Sequence, residues 1–80
     1  MKLSELKRFA TGIVRVVESV GDDDPIARRL SELGFVPGES VRLIAAGPFG
    51  ADPLLVQVGF TRFALRRSEA ARVTVQEVVV

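Results

Sequence analysis

The run Leu30-Ser31-Glu32-Leu33-Gly34-Phe35-Val36-Pro37-Gly38-Glu39-Ser40-Val41-Arg42-Leu43 leaves the chain little freedom at one corner. Upstream, Ile26, Leu30 and Leu33 fall at i, i+4 and i+7 with Ala27 beside them, while Arg28, Arg29, Ser31 and Glu32 take the other faces. That pattern predicts an amphipathic helix of about three turns. Asp24 is placed to cap it, Pro25 to begin it, and Asp22 and Asp23 lie near the positive end of its dipole. Gly34 follows the last leucine, where a left-handed C-terminal cap costs glycine least, and Phe35 then folds back onto the helix end. Pro37-Gly38 suits the centre of a type II turn, because proline presets φ and glycine accepts φ > 0. The corner therefore turns a helix into a strand in very few residues and fixes that helix against the sheet.

The remaining segments are short and β-branched. Residues 13–20 (IVRVVESV), bracketed by Gly12 and Gly21, read as a strand, as do 40–46 (SVRLIAA) and 53–60 (PLLVQVGF). The last two form a hairpin whose connection, Gly47-Pro48-Phe49-Gly50-Ala51-Asp52, is long enough to project. Gly59-Phe60-Thr61-Arg62 is the next turn, and Phe63 and Leu65 share one side of the alternating segment after it. Ser68-Glu69-Ala70-Ala71 reads as a single helical turn capped by Ser68, and residues 73–80 close as a final strand. Short strands joined by tight turns predict a mostly β fold, a closed or nearly closed antiparallel barrel with one inserted helix, since closure removes exposed edges. Leu33, Phe35, Leu43 and Leu65 are assigned to its core.

At 80 residues, the chain is read as one domain, 1–80, and a domain of that size buries only about 60–65% of its unfolded surface. It has no cysteine or histidine, so apolar packing, 48% of the residues being hydrophobic, must supply the stability. Eleven basic residues face ten acidic ones, a net charge of +1, which argues against a nucleic-acid partner. The basic residues are nine arginines and two lysines, a bias towards planar contacts at interfaces. Lys2, Glu5, Lys7 and Arg8 interrupt the N-terminus, which therefore lacks the apolar centre of a signal peptide, and no run is long enough to span a bilayer. A cytoplasmic location follows, with any membrane contact made through a partner.

Without His or Cys, no nucleophile and base are arranged for catalysis, so the expectation is no enzyme and no cofactor. Asp22-Asp23-Asp24 with Asp52 lacks calcium-loop spacing and reads as capping, not as a metal site. No P-loop string is present. Phe60-Thr61-Arg62-Phe63 with Arg66-Arg67 is the one segment that alternates aromatic and basic residues as single-strand binders do. With no Trp or Tyr and only five Phe, most of the phenylalanines are expected in the core.

Several segments together resemble the ferrous iron transport protein A (FeoA) family. They are Arg28-Arg29-Leu30 into Leu33-Gly34-Phe35-Val36-Pro37-Gly38, then Gly47 to Pro53, then Ala64-Leu65-Arg66-Arg67-Ser68-Glu69-Ala70, together with the opening Leu3-Ser4-Glu5-Leu6. Lys7 to Gly12 is longer than the family's usual opening, and Ala51 lengthens the Gly47-to-Gly50 loop. The resemblance implies an SH3-like β-barrel and a non-enzymatic accessory that binds the cytosolic part of the FeoB transporter and regulates ferrous iron uptake. The same barrel resembles the C-terminal domain of iron-dependent repressors, but there it is joined to winged-helix and metal-binding domains. A chain with its own Met1 and none of those domains favours the transporter accessory. The partner-binding candidates are Phe49 at the projecting loop, Asp52 beside it, Arg28 and Arg29 on the helix, and Arg66 and Arg67. An exposed apolar patch near Phe49 would favour a transporter-binding module, and a continuous arginine row a regulatory or nucleic-acid-binding barrel. Edge-to-edge pairing into a homodimer is compatible with the sequence.

Overall fold

In a computed structural model, residues 1–49 and 52–79 are described, Phe49 by its backbone alone. A 3₁₀ turn (Leu3–Glu5) precedes β1 (Thr11–Val17), α1 (Pro25–Glu32), β2 (Ser40–Phe49), β3 (Asp52–Val58), β4 (Thr61–Leu65), α2 (Arg67–Ala70) and β5 (Val73–Glu77). All the strand pairings are antiparallel, in the order β4-β3-β2-β1-β5. Register shifts in the β1–β5 pairing at Val14/Val16 and in the β2–β3 pairing at Leu43/Ala45 and Ala46/Phe49 add the local bend and twist that let so small a sheet curl on itself. On the open side, α2 packs on β3 and on the 3₁₀ turn, which in turn contacts β5. The fold is mostly β with one inserted helix and a second helical turn, as expected.

The corner at residues 30–39 forms as its residues dictate. Gly34 is left-handed (φ 111°), the Phe35 N–H donates to the Leu30 carbonyl (3.1 Å) and the Gly34 N–H to the Ser31 carbonyl (3.1 Å). This is the Schellman pair, and it satisfies two carbonyls that the helix end would otherwise leave unmade. The Glu39 N–H then closes the turn onto the Val36 carbonyl (3.0 Å), while the Gly38 N–H reaches the Val14 carbonyl (2.8 Å) and the Val14 N–H the Glu39 carbonyl (2.8 Å). The turn thus extends the β1–β2 ladder, which pairs Thr11 with Arg42 and Ile13 with Ser40.

One core follows, with Phe35, Leu30, Val14, Val41, Leu54, Val56, Leu65, Val73 and Val75 all at most 1% exposed and Leu43 at 4%. The Phe35 ring lies 6.2 Å from that of Phe63, tilted by 51°. Leu3, fully buried, is held by the 3₁₀ turn, in which the Lys2 N–H donates to Glu5 Oε1 (2.6 Å).

Several expectations are corrected. Leu33 is only partly buried: α1 ends after eight residues, Leu33 is its cap, and Phe35 folds back to fill the space beneath. The first strand is Thr11–Val17, not 13–20, because the Val20 N–H is taken by the Asp24 carboxylate (2.9 Å) and the Ser19 hydroxyl donates to the Gly21 carbonyl (2.9 Å). The segment expected to project is ladder through Phe49 and from Asp52, these two being paired, so only Gly50 and Ala51, outside the described residues, separate the strands. The third strand stops at Val58, with Gly59-Phe60 as the turn to β4. The second helical turn begins at Arg67, and its cap is Arg66, whose N–H donates to Glu69 Oε1 (2.9 Å), in place of Ser68. β5 is Val73–Glu77, shorter than the expected 73–80, although the Val78 N–H still donates to the Thr11 carbonyl (2.8 Å).

Leu30→Ala is expected to cost about 2–5 kcal/mol in urea unfolding, and Leu33→Ala clearly less, because only the first empties a buried site. Equal losses would contradict this packing.

Candidate functional site

α2, one turn long, gathers most of the residues the sequence singles out. Its first N–H, on Arg67, donates to Asp52 Oδ1 (3.0 Å), fifteen residues back at the start of β3. Its cap N–H, on Arg66, donates to Glu69 Oε1, and the other oxygen of Glu69 accepts from Arg29 Nη1 (2.9 Å) on α1. Arg29, Arg66, Arg67 and Asp52 are therefore one connected cluster, joined through Glu69, a residue not among the sequence candidates. Arg28 stands apart, paired with Asp23 in an exposed ion pair. The backbone of Phe49 lies beside Asp52 in the ladder, and its side chain lies outside the described residues. Gly47 permits this arrangement: a Cβ there would sit 2.5 Å from the Asp52 carbonyl oxygen and 2.8 Å from Pro53 N, closer than side chains tolerate.

Beside the cluster runs a groove of about 510 Å³, lined by Leu6, Leu43 and Leu54 together with Glu5, Arg8 and Arg67. A lining of apolar and charged groups together accepts a side chain or a short segment of a partner.

The acidic run serves the fold. Asp24 Oδ1 accepts from the N–H groups of Ile26 (3.0 Å) and Ala27 (3.3 Å), and Oδ2 from Val20 and from the Arg72 guanidinium. The Val20 N–H, followed by those of Ala27, Arg72 and Ile26, holds this carboxyl below its ordinary value, against an opposing effect of burial. Asp23 pairs with Arg28, and among the described residues no three carboxylates converge to hold a metal ion.

Aromatic placement departs from expectation. Phe35 is buried and Phe63 partly so, but Phe60 is fully exposed at the β3–β4 turn and Phe9 is 53% exposed. Phe9 also has a positive φ of 68° and lies beneath two guanidinium groups, Arg8 at 4.8 Å and Arg42 at 5.4 Å. In the register of the sheet, Arg42 faces Gln57 and Gln57 faces Arg62. The only signal for this in the sequence is the Lys7-to-Gly12 departure from the family pattern, since Phe9 and Arg42 are far apart along the chain.

Among the described residues no polar or charged residue is buried. The fold is that of a small SH3-like β-barrel. The chain belongs to the FeoA family: its residues 1–77 match the FeoA domain. It is 60% identical to FeoA of Stenotrophomonas maltophilia, a prokaryotic SH3 domain protein solved with zinc, at a TM-score of 0.87 over 95% of this chain and 89% of that one. It is 32% identical over 76 residues to a Porphyromonas gingivalis fusion of Fe(2+) transport protein A with the Fe(2+) transporter FeoB. That alignment takes in 95% of this chain but only 8% of the relative's length. A manganese-dependent transcriptional repressor, 18% identical, shares the fold at a TM-score of 0.83 over 98% of this chain and 36% of its own. Within the FeoA family the domain is a non-enzymatic accessory of ferrous iron transport. Among the described residues no helix is long and apolar enough to cross a membrane.

Two measurements test the roles assigned to single residues. Asp24→Asn should lower thermal stability at neutral pH. The folded-state value of Asp24 lies below the unfolded one, so its contribution is complete above about pH 4 and fades as pH falls through the folded value. The gap between wild type and variant should therefore close in acid, and a gap independent of pH would contradict the assignment. Gly47→Ala should unfold at lower urea by about 1–3 kcal/mol, since the added methyl group overlaps backbone that cannot move aside cheaply.

Proposed function

We propose that this protein is a cytoplasmic accessory of bacterial ferrous iron uptake that binds the cytosolic part of the FeoB transporter and regulates it, acting as one domain over residues 1–80. The observation that carries this reading is the Porphyromonas gingivalis relative, in which a matching segment and FeoB share one polypeptide. Joining two chains in that way raises the effective concentration of one for the other without any new contact, which is an advantage only if the two parts meet.

The docking surface is the α2 cluster with its groove. Arg29, Arg66, Arg67 and Asp52 are held there by the ties through Glu69 and Asp52, and Phe49 adjoins them in the ladder. Arg28, on the same helix as Arg29, is paired with Asp23 and stands outside that cluster. The Arg29–Glu69 ion pair adds little to folding by itself, about 0–1 kcal/mol for a pair with one exposed partner, and its value lies in orienting Arg29 for a partner. A repressor-type or nucleic-acid-binding role has fold likeness alone in its favour.

The test is binding of this protein to the immobilised cytosolic part of FeoB from the same organism, with and without guanine nucleotide, for wild type, Arg66→Glu and Phe49→Ala. The expected result is wild-type binding and a loss of about tenfold or more in either variant with thermal melts unchanged, as for a central interface residue. Absence of binding in every nucleotide state would remove the proposal.

A further inference from the structure

A second surface, built around Phe9, shares only Arg8 with the groove used by the reading above. Phe9 is a bulky residue at φ 68°, a conformation that is strained for a non-glycine residue and that glycine would adopt freely. Such an outlier persists only where its surroundings enforce it. Here the Phe9 N–H donates to the Leu43 carbonyl (2.7 Å), Arg42 Nε donates to the Phe9 carbonyl (3.2 Å), and the ring is left half exposed beneath the guanidinium groups of Arg8 and Arg42.

The arginines around it share one arrangement. Arg8 Nε donates to the Ile44 carbonyl (3.3 Å), Arg42 Nε to Phe9, and Arg62 Nε to Gln57 Oε1 (3.1 Å). Each guanidinium is thus anchored through Nε. Among the described residues none of the three forms an ion pair; those present involve Arg28, Arg29 and Arg72. An anchored guanidinium with its terminal fork free is shaped for a carboxylate, which it binds through two parallel hydrogen bonds. Gln57 also donates to the Gly59 carbonyl (3.2 Å), tying this row to the turn that exposes Phe60 completely.

From this geometry we propose that the outer face of β2–β4, with Arg8, Phe9, Arg42, Phe60 and Arg62, docks an acidic polypeptide segment that carries apolar side chains between its carboxylates. Two observations favour carboxylates over a phosphate backbone. The Phe9 ring already lies beside two guanidinium groups, which compete with a base for its face. Glu39 lines the same recess as Arg42 and Gln57, so a continuous polyanion would meet repulsion where a segment with spaced carboxylates need not.

The experiment is an NMR titration of the full chain with a short synthetic peptide of glutamates interspersed with leucine, beside oligothymidylate and phosphatidylglycerol vesicles. The peptide should shift the amides of residues 8–11, 42–44 and 57–62. The Arg42→Gln/Arg62→Gln double variant should bind it about tenfold more weakly, the sum of two exposed charge contacts in the upper half of their range. Phe9→Gly separates docking from folding. Glycine relieves the positive φ, so the melt should be unchanged or higher while peptide binding falls. Failure of the peptide to bind, binding equal in wild type and variants, or tighter engagement of the same residues by the oligonucleotide or the vesicles would overturn the proposal. None of these outcomes depends on FeoB.

Discussion

Phe35 is the residue on which the rest of the barrel is hung. Its N–H closes the end of α1 onto Leu30, its ring is fully buried and meets Phe63 of β4, and three residues later the chain is bonded into β1 at Val14. A helix, a central strand and the sheet's far edge are thus referred to one short segment. The left-handed Gly34 makes this affordable, because it reverses the chain without a Cβ clash and aims Phe35 inward. In an 80-residue chain without disulfides, apolar burial is the main source of stability, and one well-placed aromatic has a large effect on where α1 sits.

Charged groups divide into two populations around this frame. Asp24 and Arg72 work inward: the carboxylate caps α1, restrains Val20 and accepts from Arg72, so the segment between β1 and α1 is tied to the start of β5. Asp52 and Glu69 work at the surface, where they satisfy the first N–H groups of α2 and hold Arg29 against it. Because α2 is a single turn, it has almost no intrinsic stability and takes its position from these ties and from the burial of Ala70. The FeoA surface that gathers Arg29, Arg66, Arg67 and Asp52 is therefore a product of tertiary contacts, although each residue is visible in the sequence.

The amino-acid order by itself determined the features that depend on near neighbours. The helix with its Asp24 cap, the Gly34 and Pro37-Gly38 turns, the alternation that buries Leu54, Val56 and Leu65, and the family motifs all rest on spacings of a few residues. Only the tertiary structure decided the rest. Leu33 lost its core position to Phe35 because a residue folding back from beyond the helix competes for the same space. Gly47 to Phe49 became ladder because β3 lay alongside them, and Phe9 acquired Arg42 beside its ring because the β1–β2 register brings residue 42 to residue 11. Local steric preferences act over three or four residues and can be read along the chain, whereas burial and cross-strand partnership depend on which distant segments arrive together.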